Sequence, residues 1–135
     1  MSNVMWKDVV FYTIKDTLSA NNQINNAVDG AIVSNYGCAG LSQNYINANC
    51  SHVKQMSDFK AKGTVLVSVF VPHGNLDELS DFVDNAINEK WLETKLDDGQ
   101  IANVFLRKNS VKVDAKKDNM TFGYQFYAIL EDNNL

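Results

Sequence analysis

No apolar run in this chain approaches the length of a membrane span, and cysteine, histidine and proline are all scarce. Each shortage removes a class of protein. The first ten residues, MSNVMWKDVV, hold no basic segment followed by an apolar run, which predicts no export leader. Cys38 and Cys50 are the only cysteines, and without an export signal they are expected as free thiols and not as a disulfide. Basic residues do not predominate: 12 Lys and Arg against 16 Asp and Glu leave a formal charge of -4. That argues against broad electrostatic gripping of nucleic acid, which needs a dense basic surface. It leaves room for a protein past which DNA moves without being held. With 45% hydrophobic and 21% charged residues, no long disordered stretch is expected. A length of 135 residues predicts one domain, 1-135, with its own core.

What is present is organised around Gly63 to Trp91, GTVLVSVFVPHGNLDELSDFVDNAINEKW. Val65, Val67, Val69 and Val71 fall on one face of an alternating strand, with Leu66 and Phe70 on the other. Pro72 lacks an N–H and ends the ladder, and Gly74 allows a sharp turn. Leu76, Leu79, Phe82, Val83, Ala86, Ile87 and Trp91 then recur at helical spacing, which predicts one long helix over 75-92. Asn75 stands at its N-cap, with Glu78 three residues on in capping-box spacing.

Around this unit, Asn3 to Ala20 reads as an amphipathic helix whose stripe of Trp6, Val9, Val10, Ile14 and Leu18 is widened by Phe11 and Tyr12. Ser19 to Asn26 is polar and ends it. Gly30 to Gly40 is irregular, with a short edge strand at Ala31 to Val33. Asn44 to His52 alternates weakly as a strand. Val53 to Lys62 looks like an exposed connection or an extended hairpin loop. Glu93 to Gly99 is a charged turn. Ile101 to Arg107 is a strand that continues or bends, with a bulge near Asn109 and Ser110. Ala115 to Asn119 is a turn, Met120 to Leu130 alternates clearly as a last strand, and Glu131 to Leu135 is a polar tail. The expected fold class is α+β: a mainly antiparallel sheet with a long central helix (75-92) and an N-terminal helix (3-20) packed against it.

Catalytic signatures are thin. Cys38, Cys50 and His52 match none of the common zinc spacings, so the expectation is no metal. His73, in the turn before the helix, reads more simply as an exposed turn residue than as a general base. Asp77, Glu78, Asp81 and Asp84 read as a solvated helix face with acid favoured at the N-terminus. Gly37 to Gly40 lacks the spacing and the following Lys-Ser/Thr of a phosphate loop. The residues point to no enzyme, no catalytic residue and no cofactor, and favour a building block or binding module.

The order of elements, the polar stretch SQNYINANC at Ser42 to Cys50, the strand GTVLVSVFVPHG, the late Arg107 and the alternating C-terminal strand resemble the tail-terminator and neck (head–tail joining) proteins of tailed bacteriophages, including those of Bacteroidetes phages. The resemblance implies a non-catalytic virion protein, assembled in the host cytoplasm into a ring, a hexamer or higher. That ring would end the tail tube or connect it to the neck, with DNA as cargo in its lumen and no membrane partner. Neighbouring neck and tail-tube proteins would be its partners.

A ring built head to tail needs two different, complementary patches on each subunit. The candidate contacts are Trp6, Phe11 and Tyr12 on the first helix; Lys54, Asp58, Phe59 and Lys60 in the loop before the long strand; and Arg107, Lys108, Lys116 and Lys117. Two rivals are a small α+β ligand-binding or catalytic domain with a pocket near His73, and a nucleic-acid module. The second requires Arg107, Lys108, Lys112, Lys116 and Lys117 to converge on one face.

Overall fold

A computed structural model describes residues 5–34 and 43–131. Its elements are α1 (Trp6–Ser19), α2 (Asn22–Val28), β1 (Ile32–Val33), β2 (Tyr45–Ser57), β3 (Lys60–Phe70), α3 (Leu76–Ile87), β4 (Trp91–Lys95), β5 (Ile101–Asp114) and β6 (Asn119–Glu131), with a 3-10 turn at Ala115–Lys117. The strands form one six-stranded sheet in the order β1-β2-β3-β6-β5-β4. Only β1 runs parallel to its neighbour; the other four pairings are antiparallel. The sheet curls into a half-barrel. Cys38, the glycines at 37 and 40, the first residues of the expected 3-20 helix and most of the expected tail lie outside the described residues.

The valine face behaves as its alternation requires: Val65, Val67, Val69 and Val71 are all buried. Opposite them on β6, Phe122, Tyr124, Phe126, Ala128 and Leu130 turn to the same side, joined by Ala102, Val104 and Leu106 of β5. Val9, Val10, Ile14 and Leu18 of α1 and Leu79, Val83 and Ile87 of α3 close over this inner face in one continuous core.

The expected fold class needs correction. There is no single long central helix over 75-92; three helices form, and the central one ends at Ile87. Its start is as the capping residues dictate, since the Asn75 side-chain oxygen accepts from Glu78 N at 3.0 Å. Asn75→Ala is therefore expected to cost about 1 kcal/mol in thermal denaturation. Its end is set by tertiary contacts. Glu89 takes a left-handed φ of 56°, and its N–H donates to Leu106 O at 2.7 Å. Asn88 accepts from Lys108 N at 2.8 Å. The chain is thereby turned into β4, where Leu92 and Thr94 are buried while Trp91, Glu93 and Lys95 are exposed. Trp91 fits a helical stripe and a strand alternation equally well, and pairing with Phe105 of β5 decides for the strand.

Two further corrections follow from short or irregular pattern. Ser19 to Asn26, expected as a polar stretch that ends the first helix, holds the start of α2 (Asn22–Val28); Asn21 caps it by accepting from Ile24 N at 3.1 Å, and Ile24 and Val28 are buried one turn apart. Residues 53–62, expected as an exposed connection or an extended hairpin loop, are a hairpin in which strand continues on both sides of a two-residue tip at Asp58 and Phe59.

Candidate functional site

The inner face of the sheet is filled with core, and none of the described helices packs on the outer one. The outer face takes its chemistry from a one-residue shift in β2. Up to Cys50, even-numbered residues of β2 face inward. A bulge between Cys50 and His52 changes the register, so that His52 pairs with Thr64 and Lys54 with Lys62. The side-chain period of a strand is two, so this shift turns His52 and Lys54 outward. Gly63 makes the bulge possible: a Cβ there would overlap the His52 carbonyl.

Register then lays a row of side chains across five strands, Lys54, Lys62, Tyr127, Phe105 and Trp91. Beside it runs a second row, His52, Thr64, Gln125 and Arg107. Trp91 is 55% exposed, with ring centroids 5.4 Å from Phe105 and 6.2 Å from Tyr127. Arg107 lies 5.6 Å over the Phe105 ring, and its 3.6 Å ion pair with Glu89 is solvent-washed and worth little. Residues of both rows line a shallow cleft of about 460 Å³. Two lysines directly opposed across a strand pair repel each other, a cost that an anionic partner would relieve.

A second, larger hollow of about 890 Å³ lies between α1, the β4–β5 turn and the tip of the β2–β3 hairpin. Its walls carry five aspartates, Asp8, Asp16, Asp58, Asp97 and Asp98, against one lysine, Lys95. Tyr12 and Phe59, each 51% exposed, give it apolar footing. Its frame is held by several bonds. Thr94 Oγ1 donates to the Asp16 carboxylate, Leu130 N donates to Phe59 O at 2.9 Å, and Gln100 N donates to Asp98 Oδ1 at 2.9 Å.

The expected contact residues are distributed unevenly over these surfaces. Tyr12, Asp58 and Phe59 line the acidic hollow, and Lys54 and Arg107 line the basic cleft. Phe11 is half-buried against the core and Lys60 is exposed beside the hairpin tip. Lys116 and Lys117 are exposed at the opposite end of the sheet, in the β5–β6 turn. Trp6 is 4% exposed and belongs to the core, so it is not available as a surface contact. Lys108 points inward, where its Nζ meets Asp84 Oδ2 at 2.7 Å; Tyr124 Oη donates to the other oxygen at 2.7 Å. Asp84 is thus part of a half-buried cluster and not of a solvated face. Arg107 and Lys108 consequently face opposite ways, and the basic set proposed for a nucleic-acid module does not converge. The expected contact set lacks His52, Lys62, Thr64, Phe105, Gln125, Tyr127 and Trp91 of the two rows. A signal for the first two exists in the sequence, because apolar positions switch from even at Ile46, Ala48 and Cys50 to odd at Val53.

Cys50 is buried inward and His52 faces outward, so they do not form a ligand pair, and no cluster of three metal-ligating side chains occurs among the described residues. His73 is exposed and lines neither hollow; its backbone is clamped by Asn44, which accepts from His73 N at 3.1 Å and donates to His73 O at 2.8 Å. Among the described residues, no helix is long and apolar enough to cross a membrane. Burial pushes the Cys50 thiol up from 9.0 to about 12, with Lys7 pulling weakly the other way. A raised folded-state value means this contribution to stability is whole below pH 9 and is lost as pH rises from 9.0 towards about 12. In a Cys38→Ser background, native Cys50 is expected to resist a thiol reagent at neutral pH and to react on unfolding. A native rate equal to the unfolded one would contradict its burial.

No family model and no curated protein matches the chain. A solved structure is similar in fold, with a TM-score of 0.51 over 95% of this chain and 97% of that chain, at 11% identity. At that identity the likeness concerns the fold alone.

Proposed function

We propose that this chain is a non-enzymatic structural protein of a phage virion, a subunit of a ring at the head–tail junction that ends the tail tube or joins it to the neck. The observation that carries this reading is the outer face of the sheet, which the described helices leave bare and on which Trp91, Phe105 and Tyr127 sit together. An exposed tryptophan grouped with two half-buried aromatic rings on the open face of the sheet suits a macromolecular contact better than a small-molecule pocket. The resemblance of residues 42–50 and 63–74 to head–tail joining proteins supplies the biological setting. The formal charge of -4 suits a lumen through which DNA slides without being gripped.

The edges of the sheet favour a face contact over strand addition. Past Asn47 no strand pairs with the open side of β2 among the described residues, and past Phe105 none pairs with that of β5. Both open stretches are interrupted by bulges, at Cys50/His52 and Gln55/Ser57 in β2 and at Lys108/Ser110 in β5, which twist an edge away from a partner.

Electron microscopy and native mass spectrometry of the purified chain test the reading. Closed rings of one defined order are expected. A chain that stays monomeric at every concentration, alone and with tail-tube or neck proteins added, would refute it.

A further inference from the structure

The bare face and the acidic hollow have matching chemistry. One is an aromatic row flanked by Lys54, Lys62 and Arg107; the other is an aspartate-lined groove with Tyr12 and Phe59 on its walls. They are different patches of one chain, they carry opposite charge, and each presents a half-exposed large aromatic residue of the kind that anchors interfaces.

We propose that the outer sheet face of one copy of this chain docks into the acidic groove of the next copy. The inference rests on the ring reading above and assigns its two surfaces. Lys54, Lys62 and Arg107 of one copy would meet Asp8, Asp58 and Asp97 of the next. Trp91 would pack against the Tyr12 and Phe59 walls.

Three features of the chain support this pairing. The cross-strand repulsion between Lys54 and Lys62 is relieved when carboxylates approach. Among the described residues that line the groove, five aspartates face one lysine, Lys95, so the groove carries net negative charge. Because the patches differ, the contact is heterologous: it repeats from copy to copy and closes into a ring where the rotation permits.

Two charge-reversed chains test the assignment. The first carries Lys54→Glu, Lys62→Glu and Arg107→Glu; the second carries Asp8→Lys, Asp58→Lys and Asp97→Lys. All six positions are exposed, so circular dichroism and melting are expected to match the unaltered chain. Each variant alone opposes like charges at every contact and is expected to weaken self-association at least about 100-fold. Mixed one to one, the two variants restore opposite charge at both kinds of junction. Native mass spectrometry should then show assemblies of alternating composition, always with an even number of subunits. Added salt should dissociate the unaltered assembly.

Rings that persist in either variant overturn the surface assignment and leave the ring reading standing. So does loss in both variants without rescue in the mixture. An unaltered chain that stays monomeric, alone and with tail-tube or neck proteins added, overturns both. If it is monomeric and binds a single-stranded oligonucleotide that the first variant does not bind, the basic cleft is a nucleic-acid site instead.

Discussion

Gly63→Ala is expected to destabilise the protein by about 3 kcal/mol, among the larger costs of adding one methyl group to a packed site. A Cβ at Gly63 would overlap the carbonyl oxygen of His52 across the β2–β3 pair and come within 2.9 Å of Phe126 Cε2. The Phe126 ring has some freedom to give; the His52 carbonyl is fixed by the bulge and does not. Relief requires β2 to move away from β3, which breaks the register that places His52 and Lys54 on the outer face. Gly123 is the internal control. A Cβ there meets the side-chain oxygen of exposed Ser110 and comes within 3.2 Å of Asn109 Oδ1; both are ends of side chains that can rotate away, so Gly123→Ala is expected to cost about 1 kcal/mol. Urea denaturation of both variants checks the order. Equal midpoints would mean that β2 is not held against β3 at His52 as described.

Asp84→Ala is expected to cost about 3 kcal/mol, because two partners lose their acceptor together. Asp84 ties α3 to β6 through Tyr124 Oη and to β5 through Lys108 Nζ, both at 2.7 Å. Tyr124 has no exposure to solvent, so its hydroxyl would be left without a partner in the core. Tyr124→Phe removes the same bond from the other side but leaves Asp84 paired with Lys108, and about 1 kcal/mol is expected. The double variant should be less destabilised than the sum of the singles, since the second substitution deletes the group orphaned by the first. Additive losses would show that the three side chains do not act as a cluster. Burial first, and then the bond to Asp84 and its charge, push the Tyr124 hydroxyl above its ordinary 10.0. That contribution is whole below pH 10 and is lost as pH rises further, so base-induced unfolding should begin later in Tyr124→Phe than in the parent.

The contrast between these two sites also shows what could be read from the chain directly. The Asp84 cluster joins residues 24 and 40 positions apart, and no local pattern announces such a contact. Asp84 read alone is an acid on the polar side of a helix, and Lys108 read alone is a neighbour of Arg107 in a basic run. Gly63 reads in the sequence only as the glycine that opens the long strand; the shift of apolar positions from even to odd between Cys50 and Val53 is the local trace of the bulge opposite it, and the expectation of an exposed connection over residues 53–62 passed over it. Trp91 was misplaced for a different reason. One residue at the end of a stripe satisfies a period of 3.6 and a period of 2 together, and only its strand partner distinguishes them.

Local chemistry by itself determined the valine face, the start of α3 at Asn75, the alternation of β6 and most of the buried core, because each depends on residues within a turn or a few strand positions of one another. Which side chains share the outer face, where α3 stops, and the separation of Arg107 from Lys108 were decided by tertiary structure. They depend on registers between strands up to about 70 residues apart in the chain, and a shift of one residue in any pairing sends a side chain to the opposite face.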